Sequence, residues 1–290
     1  MEDYNCLIII GATATGKTHL AVTEANRLKG EIISADSRQV YKGLDIGTGK
    51  DLKEYDNVPY HLIDIKEPKD EYNLFYFQKD VYRIFPKILE RGCFPIIAGG
   101  TPLYIDSIVS SYSLLPVPID SSFRFSIKDL SLIELQSMFF NLKNEIHNKT
   151  DLLQRERLIR AIEIAKYTKE NPHLLEELKK NTPIIKPKII GIHFEKLELE
   201  KRIYKRLLAR IDEGMIEEVE TLNKNGIDWQ YLESLGLEYR FTALYLQGKI
   251  KTKEEYINLL FHSICKFAKR QKTWFRKMEK KGIKIEWQAC

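Results

Sequence analysis

Long apolar runs are missing from this 290-residue chain, and none approaches the roughly 20 residues a bilayer-spanning helix needs. A membrane partner is therefore not expected. Cysteine is sparse: Cys6, Cys93, Cys265 and Cys290 stand far apart and form no C-x-x-C pair. That spacing argues against a zinc site or disulfide frame and for a reducing cytoplasm. The opening residues, MEDYNC, are acidic and lack the basic-then-apolar order of a signal peptide. His61, His193 and His262 show no metal-ligand spacing and read as structural. Internal repeats and low-complexity segments are absent. A strong charge of one sign is lacking too: 46 Lys and Arg against 41 Asp and Glu leave a net charge of +5, too weak alone to imply nucleic acid. What remains is a chain with 43% hydrophobic residues, enough for one large core with an inserted or appended piece.

Its clearest feature is GATATGKT, Gly11 to Thr18, directly after the apolar run Cys6 to Ile10. The eight residues Gly11, Ala12, Thr13, Ala14, Thr15, Gly16, Lys17 and Thr18 satisfy G-x-x-x-x-G-K-[ST]. Glycines let the backbone turn tightly with its N–H groups inward, and the following helix adds the positive end of its dipole. Lys17 supplies a point charge, and the Thr18 hydroxyl can reach a Mg²⁺ ion. A di- or triphosphate is expected here; the loop alone does not say which.

Short apolar runs at 6–10, 31–35, 61–65, 94–98 and 188–194 read as strands. Helical patterns at 17–29, 74–91, 197–213, 215–225, 232–246 and 253–280 alternate with them, and 283–287 reads as a final strand. Residues 39–58 read as a long functional loop. The pattern describes a parallel α/β sheet, with ligands beyond the carboxyl ends of its strands. Between Leu114 and Pro183 the texture turns helical and charged, which marks a small helical insertion. The expected organisation is residues 1–113 as the first part of a P-loop core, 114–183 as the insertion, and 184–290 as the rest of the core with a basic C-terminal helix.

Several residues could carry chemistry. Asp36 ends the second strand beside the cradle and could act as a general base, a metal-associated carboxylate or a turn cap. Asp64, in HLIDI, superficially resembles a magnesium-binding acid but lies one residue before the strand's end. Gly99-Gly100-Thr101 places a hydroxyl and free amides on the same rim. Arg155, Arg157 and Arg160 crowd the insertion helix, where a solvated face is an equal reading. Arg202, Arg206 and Arg210 recur every four residues on one helix face, a stripe suited to clamping pyrophosphate or an RNA backbone. From Lys266 to Lys284 there are nine Lys or Arg and one Glu, interleaved with Trp274 and Phe275. Basic groups beside aromatics suit phosphates and unstacked bases.

Taken together, these motifs resemble the tRNA dimethylallyltransferases, or IPP transferases, along nearly the whole chain. GATATGKT is similar to that family's GPTASGKT-type loop, and DSRQVYKGLDIGTGK (Asp36 to Lys50) to its most specific block. YHLIDI, IIAGGTPLY, RLIRAIE and AKRQKTWFR follow in the family's order. The resemblance implies transfer of a dimethylallyl group from dimethylallyl diphosphate to N6 of the adenosine 3′ of the anticodon, by a cytoplasmic monomer using Mg²⁺. It implies that Gly11 to Thr18 hold the diphosphate, with Thr18 next to the metal. Asp36, Lys17, Thr18, Thr101 and Arg206 would be catalytic. Asp36, Ser37, Arg38, Gln39, Thr101, Arg157, Arg160, Lys269, Arg270, Gln271, Trp274 and Arg276 would meet the tRNA anticodon stem-loop. The chain departs from the family's pattern at Ala12, for proline, Gly49, for alanine, Tyr60, for histidine, and Pro102, for a small residue. None of these removes a donor or a carboxylate. The insertion is shorter than usual, and the block usually written GYKE appears as Gly236-Leu237-Glu238-Tyr239. The rival readings are a P-loop small-molecule or nucleoside kinase, and a P-loop RNA-binding protein without catalysis.

Overall fold

A computed structural model describes residues 4–142 and 152–289. The chain divides into two compact units: Met1–Ser111 with Pro183–Cys290, and Tyr112–Thr182. The first unit begins with β1 (Cys6–Gly11), α1 (Lys17–Leu28), β2 (Gly30–Ser34), β3 (Tyr60–His61), α2 (Leu74–Glu90), β4 (Phe94–Gly99) and α3 (Pro102–Val109). The second unit holds α4 (Ser121–Ser126), α5 (Leu132–Leu142), α6 (Arg155–Glu170) and α7 (Pro172–Asn181). The first unit resumes with β5 (Pro187–His193), α8 (Lys196–Asp212), α9 (Met215–Lys224), α10 (Trp229–Ser234), α11 (Leu237–Leu246), α12 (Lys253–Lys280) and β6 (Glu286–Ala289).

The six strands form one parallel sheet in the order β3-β2-β4-β1-β5-β6. Helices cover both faces, so β1 is apolar throughout rather than alternating. Ile8 and Ile10 pack on one side with Ile33, Ile97 and Phe85. Leu7 and Ile9 pack on the other with Ile32, Ala21 and Leu207. The chain leaves β1 through α1 for β2 on one side of it, and after β4 it passes to β5 on the other side, so the strand order reverses at β1. The crevice beyond its carboxyl end is therefore where such a sheet binds ligands.

The α/β architecture and its parallel sheet match expectation, and the details differ for identifiable reasons. The strand expected at 61–65 ends at His61, because Leu62 and Asp64 take φ of 63° and 54°, which no extended strand allows. The single helix expected at 232–246 is broken at Gly236, whose φ is 147°. The last strand lies at Glu286–Ala289 rather than 283–287. The 28-residue α12 is well terminated: Thr252 Oγ1 accepts from the Glu255 N–H at 3.1 Å, and Lys277 and Lys280 sit at the negative end of the dipole.

In the second unit, Leu135, Phe139, Leu158, Ile159 and Ile162 form a small core. Beside it the buried Glu163 carboxylate accepts from Arg124 at 2.7 Å and Arg160 at 3.0 Å. Burial would raise Glu163, but these guanidinium bonds outweigh it and hold the acid below the usual carboxylate range. No helix among the described residues is long and apolar enough to cross a membrane.

Candidate active site

A cavity of about 600 Å³ opens beyond the carboxyl ends of β1, β2 and β4, and all its lining residues belong to the first unit. One wall is the loop from β1 to α1. Gly16 takes φ of 84° as the residue before α1, a left-handed turn that directs the first free amides of the helix toward the cavity. Thr15 Oγ1 donates to Ala12 O at 2.8 Å, which fixes the loop from within. Lys17 Nζ also donates to Ala12 O at 2.8 Å, so in the free protein the ammonium rests on the loop it serves. Thr18 lines the cavity, and its hydroxyl makes no hydrogen bond among the described residues.

Asp36 follows β2 on the facing wall. Its Oδ1 accepts from the Arg38 N–H at 2.9 Å, and the other carboxylate oxygen is directed to Gly100. A Cβ built at Gly100 would lie 3.8 Å from Lys17 Nζ and 3.9 Å from Asp36 Oδ2. The ammonium and the carboxylate thus flank one point on the floor. Thr101 Oγ1 accepts from the Ser37 N–H at 3.1 Å and the Thr101 N–H donates to Ala35 O at 3.2 Å, tying the β4 loop to the β2 loop.

The arginine stripe of α8 forms a third wall, with Arg202, Arg206 and Arg210 all lining the cavity. Arg202 Nε donates to Ala14 O at 2.9 Å, and Arg206 Nη2 donates to Thr13 Oγ1. Burial, then the charge of Arg206, push the Lys17 ammonium down to about 7, with Asp36 opposing. Burial and Arg210 lower Arg206 to about 9. Desolvated cations crowded together favour an anionic ligand, which restores their charge.

The basic helix α12 divides its expected RNA contacts between two faces. Gln271 is buried: its Oε1 accepts from the Thr13 N–H at 2.9 Å and its Nε2 donates to Gly100 O. Trp274 turns inward, its Nε1 donating to Asp106 Oδ2 at 3.3 Å. Lys269, Arg270 and Arg276 are exposed, and Arg270 also lines the cavity beside Phe267. Arg38 lines the cavity while donating to Ser234 O at 3.1 Å. Gln39 is buried and spent internally, donating to Gly49 O at 2.9 Å and accepting from Ser34 Oγ at 2.8 Å. Arg157 and Arg160 lie on α6 in the second unit, where Arg160 also donates to Val117 O and Pro118 O.

Asp64, weighed as a magnesium contact, is absent from the cavity lining. It pairs with Lys50, whose buried ammonium also meets Asp45 Oδ1 at 2.6 Å and Tyr41 O at 2.7 Å. Lys50 therefore clamps the 39–50 segment from behind. His61 is structural, 2.6 Å from Glu31, which Arg91 holds from the other side.

Glu218 gave no signal in the sequence. Its carboxylate accepts from the backbone N–H groups of Asp45, Ile46 and Gly47 at 3.0, 2.7 and 3.1 Å, and from Tyr239 Oη at 2.7 Å. Three consecutive amides closing on one anion make a nest. It joins the DIGT segment to the GLEY segment, both of which line the cavity.

A P-loop at the carboxyl end of a parallel sheet, with cations over it, defines an α/β protein of the phosphate-binding P-loop class. Comparison with known proteins narrows the class. The profile described as IPP transferase matches residues 39–278, and that of isopentenyl transferase matches residues 4–56; the chain belongs to the IPP transferase family. It is 57% identical over 286 residues to a tRNA dimethylallyltransferase 2 of Treponema denticola, covering 99% of this chain and 96% of that one. It is 52% identical to a tRNA dimethylallyltransferase of Treponema pallidum (strain Nichols), covering 99% and 91%. Among solved structures, the tRNA isopentenylpyrophosphate transferase of Bacillus halodurans superposes with a TM-score of 0.71 at 33% identity, covering 99% of this chain and 90% of that one. A eukaryotic dimethylallyltransferase acting on tRNA shares the fold, with a TM-score of 0.71 at 20% identity, covering 98% and 74%.

Proposed function

We propose that this chain transfers a dimethylallyl group from dimethylallyl diphosphate to N6 of the adenosine immediately 3′ of the anticodon in tRNA, working as a cytoplasmic monomer. The observation that carries the reading is that a phosphate cradle and a carboxylate line one cavity, Lys17 Nζ and Asp36 Oδ2 each lying within 4 Å of where a Cβ on Gly100 would stand. A kinase reading has no comparable support from the family.

In this reading the diphosphate lies along Gly11 to Thr18, held by the free amides at the start of α1, by Lys17 and by Arg206. The donor set suits a magnesium ion that arrives with the diphosphate. Thr18 offers an uncommitted hydroxyl, and no group of three or more His, Cys, Asp or Glu among the described residues could hold an ion unaided. When bound, such an ion would offset charge on the diphosphate oxygens. The adenine leaves its stack to enter the cavity, since the amine must approach the allylic carbon in line. As N6 bonds to that carbon, the C–O bond breaks and its electron pair leaves with the diphosphate. Lys17 and Arg206 stabilise that developing charge. Asp36 orients the amine and accepts its proton as the new bond forms. Thr101 would border the base. Arg157 and Arg160 of the second unit would engage the anticodon stem-loop, and so would the face of α12 bearing Lys269, Arg270 and Arg276 in the first; Gln271 and Trp274 anchor α12 from its inner face, and Gln39 braces the 34–49 segment.

Purified protein given tRNA and dimethylallyl diphosphate should yield N6-prenylated adenosine by nucleoside mass spectrometry, without ATP. Absence of the product refutes the reading. Asp36→Asn should retain tRNA binding while turnover falls by about two to four orders of magnitude; unchanged turnover removes Asp36 from the mechanism.

A further inference from the structure

Arg210 lies one turn beyond Arg206 on the same face of α8, and its side chain is only 7% exposed. It lines the cavity, yet among the described residues its guanidinium makes no hydrogen bond. Among the described residues its one ion-pair partner is Glu238 Oε1, at 3.8 Å. Arg155 provides a contrast within the chain, since its guanidinium donates to three backbone carbonyls, those of Leu130, Ile127 and Lys128. A guanidinium carries five N–H donors; no buried side-chain nitrogen among the described residues lacks a partner, so the donors of Arg210 are open to the cavity, where a ligand can accept from them. That side chain is admitted by a missing methyl: a Cβ on Gly49 would collide with its Nη2 and Cζ. Beside it stands Arg206, and beyond that Lys17. Lys17, Arg202, Arg206 and Arg210 thus line one cavity, together with the acids Asp36, Asp51, Glu54, Glu233 and Glu238.

We infer that Arg210 is a third cationic anchor for the donor's diphosphate, one that the absence of a side chain at Gly49 allows into the cavity. This rests on the functional reading above. A phosphate of the RNA backbone has the same chemistry, but it would approach from the rim, whereas Arg210 is buried next to Arg206. The step along α8 from Arg206 to Arg210 is only about 6 Å. Two long side chains starting that far apart can converge on one diphosphate, and Arg206 already touches the loop that would hold it.

The test uses inorganic pyrophosphate with Mg²⁺ as the probe, titrated calorimetrically into the full-length protein and its variants. KM values for dimethylallyl diphosphate and for tRNA are measured alongside. Arg210→Met should raise the pyrophosphate Kd and the donor KM by about 10- to 100-fold, the usual effect of one or two charge-assisted hydrogen bonds. The KM for tRNA should stay within about twofold. Arg210→Lys should recover part of the loss. Gly49→Ala, which places a methyl against the guanidinium, should weaken pyrophosphate binding alone but add nothing in the Arg210→Met background. Thermal melts of each variant separate a binding defect from a folding defect. Wild-type affinity for pyrophosphate in folded Arg210→Met overturns the inference and leaves the functional reading intact. A rise confined to the KM for tRNA overturns it as well. Failure of the unmodified protein to bind pyrophosphate brings down both.

Discussion

Replacing Glu218 with Gln removes one negative charge and almost no volume, so its effect reports the anion nest itself. Oε2 receives the amides of Asp45 and Ile46, and Oε1 receives the amide of Gly47 and the Tyr239 hydroxyl. A glutamine can keep one of these pairs with its carbonyl oxygen. With its NH₂ on the Oε1 side, the Tyr239 hydroxyl can turn to accept from it, but the Gly47 N–H then faces another N–H and loses its acceptor. The retained bonds also lose their charge assistance, typically about 1.5–3 kcal/mol for a bond to a charged group against about 1 for a neutral one. Glu218 is half-buried, which trims the difference, so the 45–47 turn should open more easily by about 2 kcal/mol. Hydrogen exchange on a peptide spanning residues 45–47 should then lose about 30-fold in protection. Tyr239→Phe, which leaves the three amide bonds in place, should change those amides only a few-fold. If Glu218→Gln left 45–47 as protected as before while the whole protein became less stable, the carboxylate would be acting through the packing of α9. The nest would then have no part in holding the cavity wall.

Three further outcomes follow from the same geometry. Because Lys17 sits near 7 when the cavity is free and a bound diphosphate raises it, binding should take up a proton above pH 7 and weaken as pH rises. Calorimetry at pH 8 in buffers of different ionisation heat should show that uptake in the wild type and less of it in Lys17→Met; equal uptake refutes it. Folding has the opposite sign: a lysine lowered from 10.5 to about 7 on folding makes the free protein more stable as pH rises from about 7 toward 10.5, visible as a rising melting temperature that Lys17→Met flattens. Gln271→Leu strips partners from the Thr13 N–H and Gly100 O and should raise the donor KM about tenfold or more, with the exposed face of α12 unchanged. Lys269→Ala with Arg270→Ala should raise the KM for tRNA and lower its salt slope by about 1 for each phosphate no longer neutralised; a change confined to the donor KM assigns both residues to the other substrate.

Much of the core was legible because its signals are local. The apolar run of β1, the glycines of the P-loop and the periodicity of α2 and α12 each state their structure within a few residues. The same holds for Asp36, whose place at the end of a strand follows from the pattern around it. What could not be read is what depends on distant partners. Glu218 lies on an ordinary amphipathic helix, and only the fold brings it to amides 171 to 173 positions away. Gln271 sits inside a basic stretch whose resemblance implies a tRNA contact, although helix α12 turns it toward the floor. The strand through Ile65 failed because Leu62 and Asp64 adopt left-handed backbone that their side chains do not announce, Asp64 being held there with Lys50.

The buried amide of Gln271 grips the phosphate loop through Thr13 and the opposite lip through Gly100, 87 residues further along the chain. A single rigid cross-tie between two rims means that neither can shift alone. Any breathing of the mouth moves both edges with α12 or breaks two bonds together. The helix that carries the exposed basic side chains is thereby the keel of the cavity, and a load placed on its outer surface is felt at both of its rims.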